Sequence, residues 1–314
     1  MTTTDPTAPR PDASHRISAF LHRRPRLRLL ATLSPPLAWL LVVYVGSLVA
    51  LLIQSFFRLD DFTGLVDHTF SLDTWRDLLT TSTVWSTTFR TVLMALAVTI
   101  AAAALAMPLG YWLAKVASPR AKALGVLGVL LPLWASYLVR VYSWSLILAQ
   151  KGVVNWFAVH LHLGGVLDWL LRAPEVGGTS LGFSLIGQFL VFLYVWLPYM
   201  VLPVQASLER VPDSYLEASA DLGAGPATTF RRITWPLAKP GVVAGSIFTF
   251  SLTLGDYIIP ALIGSSRPSI GKLIQQNVGA TGNLPLAAAL SFIPMVIMGV
   301  YLTLAKRAGA FEAL

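Results

Sequence analysis

The stretch EASADLGAGPATTFRRITWP, residues 217–236, is polar and compatible with a helix, yet long apolar stretches lie on both sides of it. The apolar stretch 181–207 precedes it and the stretch 241–263 follows it. Each is long enough to cross about 30 Å of hydrocarbon as a helix. Residues 208–239 are therefore predicted to form a loop at one membrane surface, between two membrane spans.

The composition of the whole chain supports a membrane protein. Of its 314 residues, 55% are hydrophobic and 12% are charged, whereas about 25% are charged in ordinary soluble domains. The net charge of +8 is explained by basic flanks of membrane spans, and we therefore predict no nucleic-acid partner. Cysteine is absent, which excludes a disulfide framework, a thiol nucleophile and a thiolate metal site.

Stretches of span length recur six times along the chain. A span in lipid must satisfy its backbone hydrogen bonds internally, and the alternation of a β-barrel is missing, so helices are expected. The predicted fold class is an all-α membrane protein with about six transmembrane helices. Pro132 interrupts the third span and the fifth contains Asp256. The predicted spans are residues 36–57, 91–114, 123–139, 181–207, 241–263 and 284–305.

The basic residues predict how these spans are oriented. Most of the 23 Lys and Arg residues fall on one side, and the positive-inside rule makes that side cytoplasmic for both termini. Residues 1–28 form a predicted disordered, basic cytoplasmic tail, and residues 29–314 form the membrane domain. The external segments, about 58–90 and 140–180, are predicted to hold short interfacial helices.

Within the loop, turn-forming residues predict a helix, a tight turn and a second helix. Asp213 and Glu217 favour the start of a helix, and Gly223 permits a left-handed stop. Pro226 then restarts a helix, which Pro236 is predicted to end. Such a short helix either inserts an apolar face into a groove on another protein or lies on its own membrane surface, and periodicity leaves both possibilities open.

The same segment resembles the EAA loop of the inner-membrane permease subunits of ABC importers. That family's pattern is Glu-Ala-Ala, three residues, Gly, nine residues, then Ile-x-Leu-Pro. The sequence departs from it at Ser219, where Ala is usual, and at Trp235, where Leu is usual. The spacing is intact, and so is the position before the last two spans. The matching residues are Glu217, Ala218, Gly223, Ile233 and Pro236.

The resemblance implies a type I importer permease fold whose loop helix is a coupling helix for a cytoplasmic ATPase. It also implies an assembly of two permeases, two ABC ATPases and an external solute-binding protein, with ATP and Mg²⁺ bound by the ATPases. This chain would then be a transport subunit with no cofactor of its own. The implied coupling residues are Glu217, Ala218, Ser219, Asp221, Leu222, Gly223, Ile233 and Pro236.

Two further stretches resemble spermidine/putrescine permeases of the PotB class. They are LPLWASYLVRVYSWSLIL at 131–148, followed by KGVVN at 151–155, and FTFSLTLGDYIIPALIGSS at 248–266. The implied solute is a polyamine or a similar small solute, and the implied second permease is a different chain, giving a heterodimer.

Asp256 is the strongest candidate for the solute pathway, because a carboxylate inside a span normally faces a cavity or a partner. It either attracts an amine-bearing solute or makes a structural hydrogen bond to another helix. Aromatic side chains could hold a cation, although an aromatic belt at the membrane interface explains them equally well. Arg140 is expected to snorkel to the outer interface. The aromatic candidates are Trp134, Tyr137, Tyr194 and Trp196.

Other kinds of chemistry find little support. The nearest approach to a P-loop, Gly271-Lys272, lacks the upstream Gly and the hydroxyl residue. His160 and His162 would face one way on a strand, but an interfacial segment explains this pair better than a metal site, so no metal is predicted. The alternative function is an ion-coupled secondary transporter that uses Asp256, although inverted repeats with broken helices are not evident.

Overall fold

A computed structural model describes residues 25–60, 62–174, 177–265 and 267–309. Most of the predicted tail, residues 1–24, lies outside this part of the chain, and helix α1 begins at Pro25. The helices in the first half are α1 (Pro25–Leu40), α2 (Gly46–Gln54), α3 (Asp73–Thr80), α4 (Ser82–Tyr111), α5 (Pro119–Trp134), α6 (Tyr137–Ile147), α7 (Val153–His160) and α8 (Gly164–Leu171).

The second half is also helical. π-helical turns at Leu41–Val45, Trp112–Val116 and Phe230–Thr234 join or extend helices, and a 3-10 turn covers Leu181–Phe183. The remaining helices are α9 (Leu185–Glu209), α10 (Asp213–Asp221), α11 (Pro226–Thr229), α12 (Trp235–Gly255), α13 (Ile258–Leu262), α14 (Ile270–Gly279) and α15 (Leu284–Arg307).

In the described ranges, five helical runs are long and apolar enough to cross a membrane, and a bent helix pair makes a sixth. The first run, Thr32–Gln54, belongs to a separate N-terminal unit and consists of the later part of α1, a π-helical turn and α2. The other five belong to the unit that begins at Ser55. About six spans were predicted from hydropathy, and this prediction is confirmed.

Helices α4, α9 and α12 pack on one another and form the centre of the larger unit. Small residues allow the close approach, as is common where helices pack in membranes. A Cβ atom at Gly245 would lie 3.0 Å from Met200 Cα and 2.7 Å from Met200 Sδ, so α12 and α9 are nearly in backbone contact there. Met200 belongs to one cluster of fully buried side chains from α4 and α9, with Ala102 and Val204, and Val98 and Val191 belong to a second cluster.

The third span is broken, and the prediction of one span over 123–139 is wrong in this respect. Helices α5 and α6 meet at an angle of 95°. The break lies at Ala135 and Ser136, whose backbones are not helical, and not at Pro132, which is accommodated in the last turn of α5. Proline removes a helical N–H donor, so the last turn of α5 is weakened just before the chain changes direction.

The fifth span is broken as well, so Asp256 does not lie inside a helix as the prediction of a continuous span over 241–263 implied. Helix α12 ends at Gly255, and Asp256 has an extended backbone. Its Oδ1 accepts hydrogen bonds from the N–H groups of Ile258 (2.7 Å) and Ile259 (3.0 Å). A side chain that caps two free N–H groups starts a new helix, here α13.

Pro236 does not end a helix, which corrects the prediction for this residue. Helix α11, the π-helical turn Phe230–Thr234 and α12 form one continuous run, Pro226–Gly255. The N–H of Trp235 bonds the carbonyl of Phe230, one residue further back than in an α-helix. The wider turn relieves the clash that a proline ring makes with the preceding turn, so the helix continues.

The predicted external segments contain the expected short helices and one unpredicted hairpin. Helix α3 lies in the first segment, and α7 and α8 lie in the second. Strands β1 (Arg58–Leu59) and β2 (Val66–Asp67) pair antiparallel. Gly64, at φ +66°, takes the left-handed backbone conformation in the turn between them.

Candidate functional site

The loop between α9 and α12 has the helix–turn–helix form predicted for it. Helix α10 ends where Gly223 adopts a φ of +72°. Its N–H bonds Ala220 O at 2.8 Å, and the N–H of Ala224 bonds Ser219 O at 3.0 Å. These bonds satisfy the last carbonyls of α10 and reverse the chain toward α11.

Ser219, one of the two departures from the EAA pattern, holds α10 against α11. Its side chain is buried, and its Oγ lies 2.8 Å from Thr229 Oγ1. The serine and the threonine therefore form a matched hydrogen-bonded pair. Sequence reasoning missed the role of Thr229, because the only available signal was the unusual serine itself.

The predicted coupling residues divide into two groups. Some line a groove between α10 and α11, and its other walls come from Tyr215, Ala224, Thr228 and Arg232. Leu222 lies in this groove with 88% of its surface exposed. Glu217 and Asp221 are exposed on α10 outside the groove, and Pro236 lies farther along the run. The predicted residues that line the groove are Ala218, Ser219, Leu222 and Ile233.

Two lysines bond to the chain around the start of α10. Lys115 Nζ lies 2.5 Å from Val211 O and 2.7 Å from Asp213 Oδ1. Lys122 Nζ lies 2.9 Å from Glu209 Oε1. In the sequence these lysines were only part of the basic bias that set the topology, because partners about a hundred residues away leave no local pattern.

The two breaks in the spans bring together three of the predicted pathway residues. The Tyr137 hydroxyl, at the start of α6, donates a hydrogen bond to Asp256 Oδ2. The Tyr137 ring stacks on Trp196 with the ring centroids 5.6 Å apart and the planes 21° apart. Trp196 is buried, and its Nε1 has no hydrogen-bond partner in the part of the chain that the structure describes.

The other two predicted pathway residues lie outside this cluster. Trp134, the last residue of α5, is 82% exposed. Tyr194 packs against Trp144, with the ring centroids 5.1 Å apart. The helix break separates Trp134 from Tyr137, and Tyr194 is two residues from Trp196 along α9, which turns it to a different face.

Arg140 is buried rather than snorkelling, which corrects the expectation for it. Its guanidinium carbon lies 5.9 Å from the centroid of the Tyr137 ring. Its Nε and Nη1 atoms have no hydrogen-bond partner among the described residues. The 95° bend at the end of α5 turns α6, and Arg140 with it, toward the protein.

A small, positively lined cavity lies close to this cluster. Its walls include Arg90, Gln188, Thr253 and Arg267. Its volume of about 40 Å³ has room for water rather than for a solute. The guanidinium groups of Arg90 and Arg267 disfavour a cation in this cavity.

The histidine pair shows no sign of a metal site. His160 ends α7, and its Nδ1 lies 2.9 Å from Trp156 O while its ring stacks on that tryptophan. His162 has a φ of +58°. Within the described ranges, no group of three or more His, Cys, Asp or Glu side chains is placed to hold a metal ion.

Comparison with known proteins decides the family. Residues 82–308 match the family described as the binding-protein-dependent transport system inner membrane component. This chain belongs to that family. It is therefore an ABC importer permease, a transport subunit rather than an enzyme, as predicted. This membership decides against the secondary-transporter alternative.

Named relatives agree with this assignment over nearly the whole permease. It is 49% identical to the inner membrane ABC transporter permease protein YdcU of Escherichia coli strain K12, over 95% of both chains. It is 30% identical to the spermidine/putrescine transport system permease protein PotB of the same organism, over 86% of this chain and 94% of that protein. The permease is accordingly a multi-pass inner-membrane protein.

A solved structure confirms the fold. A chain of a bacterial alginate ABC transporter, in complex with an alginate pentasaccharide-bound periplasmic protein, superposes with a TM-score of 0.70 at 16% identity. The match covers 94% of this permease and 97% of that chain. The predicted type I importer permease fold is therefore confirmed.

Proposed function

We propose that this permease forms part of the translocation pathway for a polyamine, spermidine or putrescine, or a similar small solute. In the proposed assembly it pairs with a second, different permease, two ABC ATPases dock on the cytoplasmic side, and a periplasmic protein delivers the solute. The ATPases bind ATP and Mg²⁺, and this chain binds neither. Both termini lie in the cytoplasm, because that orientation places most basic residues inside.

The observation that carries the docking proposal is the exposure of Leu222 at the end of α10. A leucine 88% exposed beside an apolar groove forgoes about 1.5–3 kcal/mol that burial would supply. A partner that covers the groove recovers this free energy. Glu217 and Asp221, exposed on the same helix, are available to basic side chains of that partner.

The proposed solute class rests on the cluster at the two breaks and on the similarity to PotB. Asp256 is a carboxylate beside two stacked aromatic rings. Aromatic faces attract cations by about 0.5–2 kcal/mol each, and a carboxylate adds charge and a hydrogen-bond acceptor. In the described conformation the Tyr137 hydroxyl occupies Asp256 Oδ2, so an ammonium group would take the place of that hydroxyl.

The docking proposal is tested by purifying the tagged permease from its native membrane and identifying its companions by mass spectrometry. A P-loop ATPase and a second permease are expected with the natural chain. Leu222→Asp is expected to lose the ATPase and keep the second permease. Phe62→Asp, at a side chain fully exposed in the hairpin turn, is the matched control and should keep both. A transport-active permease recovered alone would contradict the proposal.

The solute is tested by uptake of labelled putrescine and spermidine into cells that carry the complete transporter. Uptake that depends on the permease, and that an excess of unlabelled diamine abolishes, supports the polyamine class. Uptake blocked by a neutral sugar but not by a diamine would contradict it. The docking test would be unaffected by that result.

A further inference from the structure

The turn after α4 and the first turn of α5 are bonded, through Lys115 and Lys122, to the chain that runs from the end of α9 to the start of α10. We infer that these lysines are positioning residues that transmit movement of α10 to the second and third spans. The inference rests on the proposed docking of an ATPase at α10. It extends that proposal, because the EAA pattern involves only the chain between the fourth and fifth spans.

The environment of Lys115 shows that this contact is built into the fold. Lys115 lies in the π-helical turn Trp112–Val116 that ends the second span. Only 9% of its side chain is exposed. An ammonium group removed from water must be paired, and here Val211 O (2.5 Å) and Asp213 Oδ1 (2.7 Å) provide the acceptors.

The two acceptors flank the N-cap residue of the docking helix. Pro212 is the N-cap of α10, Val211 precedes it and Asp213 follows it. Val211 is itself buried, with 4% exposure. Lys115 therefore fixes the point where the chain leaves α9 and turns into α10. A displacement of α10 would pull on these hydrogen bonds and so move the end of the second span.

Lys122 adds a weaker contact to Glu209, which precedes Val211 and Asp213 in the chain. It lies in the first turn of α5 and reaches Glu209, the last residue of α9, which also accepts a hydrogen bond from Gln205 Nε2 at 2.8 Å. Lys122 and Glu209 are 39% and 38% exposed, so water and salt screen this pair. Lys115 thus makes the stronger contact, and Lys122 connects the start of the third span to the end of α9.

The loop is therefore connected to the spans in two ways, by the chain itself and by the lysine contacts. Helix α11 continues into the fifth span and α10 follows the fourth, so chain connectivity alone joins the loop to two spans. The lysine contacts add the second and the third. All four spans are then bonded to the docking helix, and a permease without Lys115 keeps only the helix packing of the second span and the weaker Lys122–Glu209 contact of the third.

The test uses the complete transporter and two readouts, and the first needs no solute. Amide hydrogen exchange of residues 213–222 reports whether α10 is held in place. Labelled putrescine taken up per ATP hydrolysed reports coupling. Lys115→Met is expected to speed exchange and to lower the uptake ratio about tenfold or more, the loss expected for a charged hydrogen bond, while the ATPase still co-purifies. Asp213→Asn is expected to have a smaller effect because the bond to Val211 O remains.

The control is Lys239→Met, at an exposed lysine on α12, which should leave both readouts unchanged. If Lys115→Met keeps the ATPase but shows unchanged hydrogen exchange of α10 and unchanged putrescine uptake per ATP hydrolysed, the inference is overturned. Absence of the ATPase from the natural permease would instead overturn the docking proposal, and the exchange comparison would still test the link. If Lys115→Met does not accumulate, Asp213→Asn is tested instead. The Asp213 side chain is 76% exposed, so this variant is expected to fold. The inference then requires faster hydrogen exchange of α10 in Asp213→Asn than in the natural permease.

Discussion

Tyr137 and Asp256 lie 119 residues apart in the chain, and the tyrosine hydroxyl donates a hydrogen bond to the aspartate Oδ2. Each residue stands at a break in a membrane span, one at the start of α6 and the other just beyond α12. The bond therefore joins two interruptions of regular structure. A site formed at such interruptions changes shape with small backbone rotations, which suits a pathway that must open and close.

The charge of Asp256 and its capping role can be separated by two substitutions. Asp256→Asn keeps an acceptor for the N–H groups of Ile258 and Ile259 but removes the charge, so we expect near-normal thermal stability and putrescine uptake reduced at least about tenfold. Asp256→Ala removes the cap as well and should cost about a further 1 kcal/mol of stability. Normal uptake by Asp256→Asn would show that the carboxylate is structural only.

The Tyr137 hydroxyl is predicted to compete with the solute for Asp256 Oδ2. Tyr137→Phe keeps the ring that stacks on Trp196 and removes only the hydroxyl. We expect a lower KM for putrescine uptake, because the ammonium no longer displaces a hydrogen-bond donor. A raised KM with unchanged kcat would mean that the hydroxyl contacts the solute itself. Trp134→Phe, outside the cluster, is the control and should leave KM unchanged.

Two glycines in the loop test the importance of the left-handed turn. Gly223 and Gly225 both have open space where a side chain would lie, but only Gly223 has a positive φ, +72°. Gly223→Ala should destabilise the turn by about 1 kcal/mol and Gly223→Pro should uncouple transport, because proline fixes φ near −65°. Gly225→Ala, at φ −70°, should be nearly silent. Co-purification of the ATPase and the uptake ratio measure both effects.

Close packing of α12 on α9 is predicted to make two helical glycines respond with opposite signs. Gly245→Ala places a Cβ within 3.0 Å of the Met200 backbone, so we expect a lower melting temperature in detergent. Gly299→Ala meets nothing within 4 Å on α15 and should raise the melting temperature, since alanine is favoured over glycine in a helix by about 1 kcal/mol. Equal effects at both positions would contradict the packing described here.

Sequence alone predicted the parts of the fold that depend on local patterns. Apolar runs gave the spans, since hydrophobic length is a property of consecutive residues. Gly223 and Pro226 gave the turn in the loop, because each residue restricts its own backbone. Pro236 misled the prediction, because a π-helical turn formed earlier in the run accommodates its ring.

The contacts that shape the candidate sites were beyond local reasoning. The breaks at Ser136 and Asp256 occur inside apolar stretches, and hydropathy carries no information on backbone dihedral angles. Lys115 bonds to residues 96 and 98 positions away. Arg140 stood at the end of a predicted span, and only the bend before α6 places it in the interior.

The uninterrupted run Pro226–Gly255 has a mechanical consequence. At 1.5 Å per residue, its 30 residues extend about 45 Å, well beyond the hydrocarbon thickness. One end carries a wall of the groove proposed to receive the ATPase, and the other stops beside Asp256. A helix of this kind acts as a lever, so a tilt imposed at the groove is delivered at the far end as a sideways displacement of the Asp256 carboxylate.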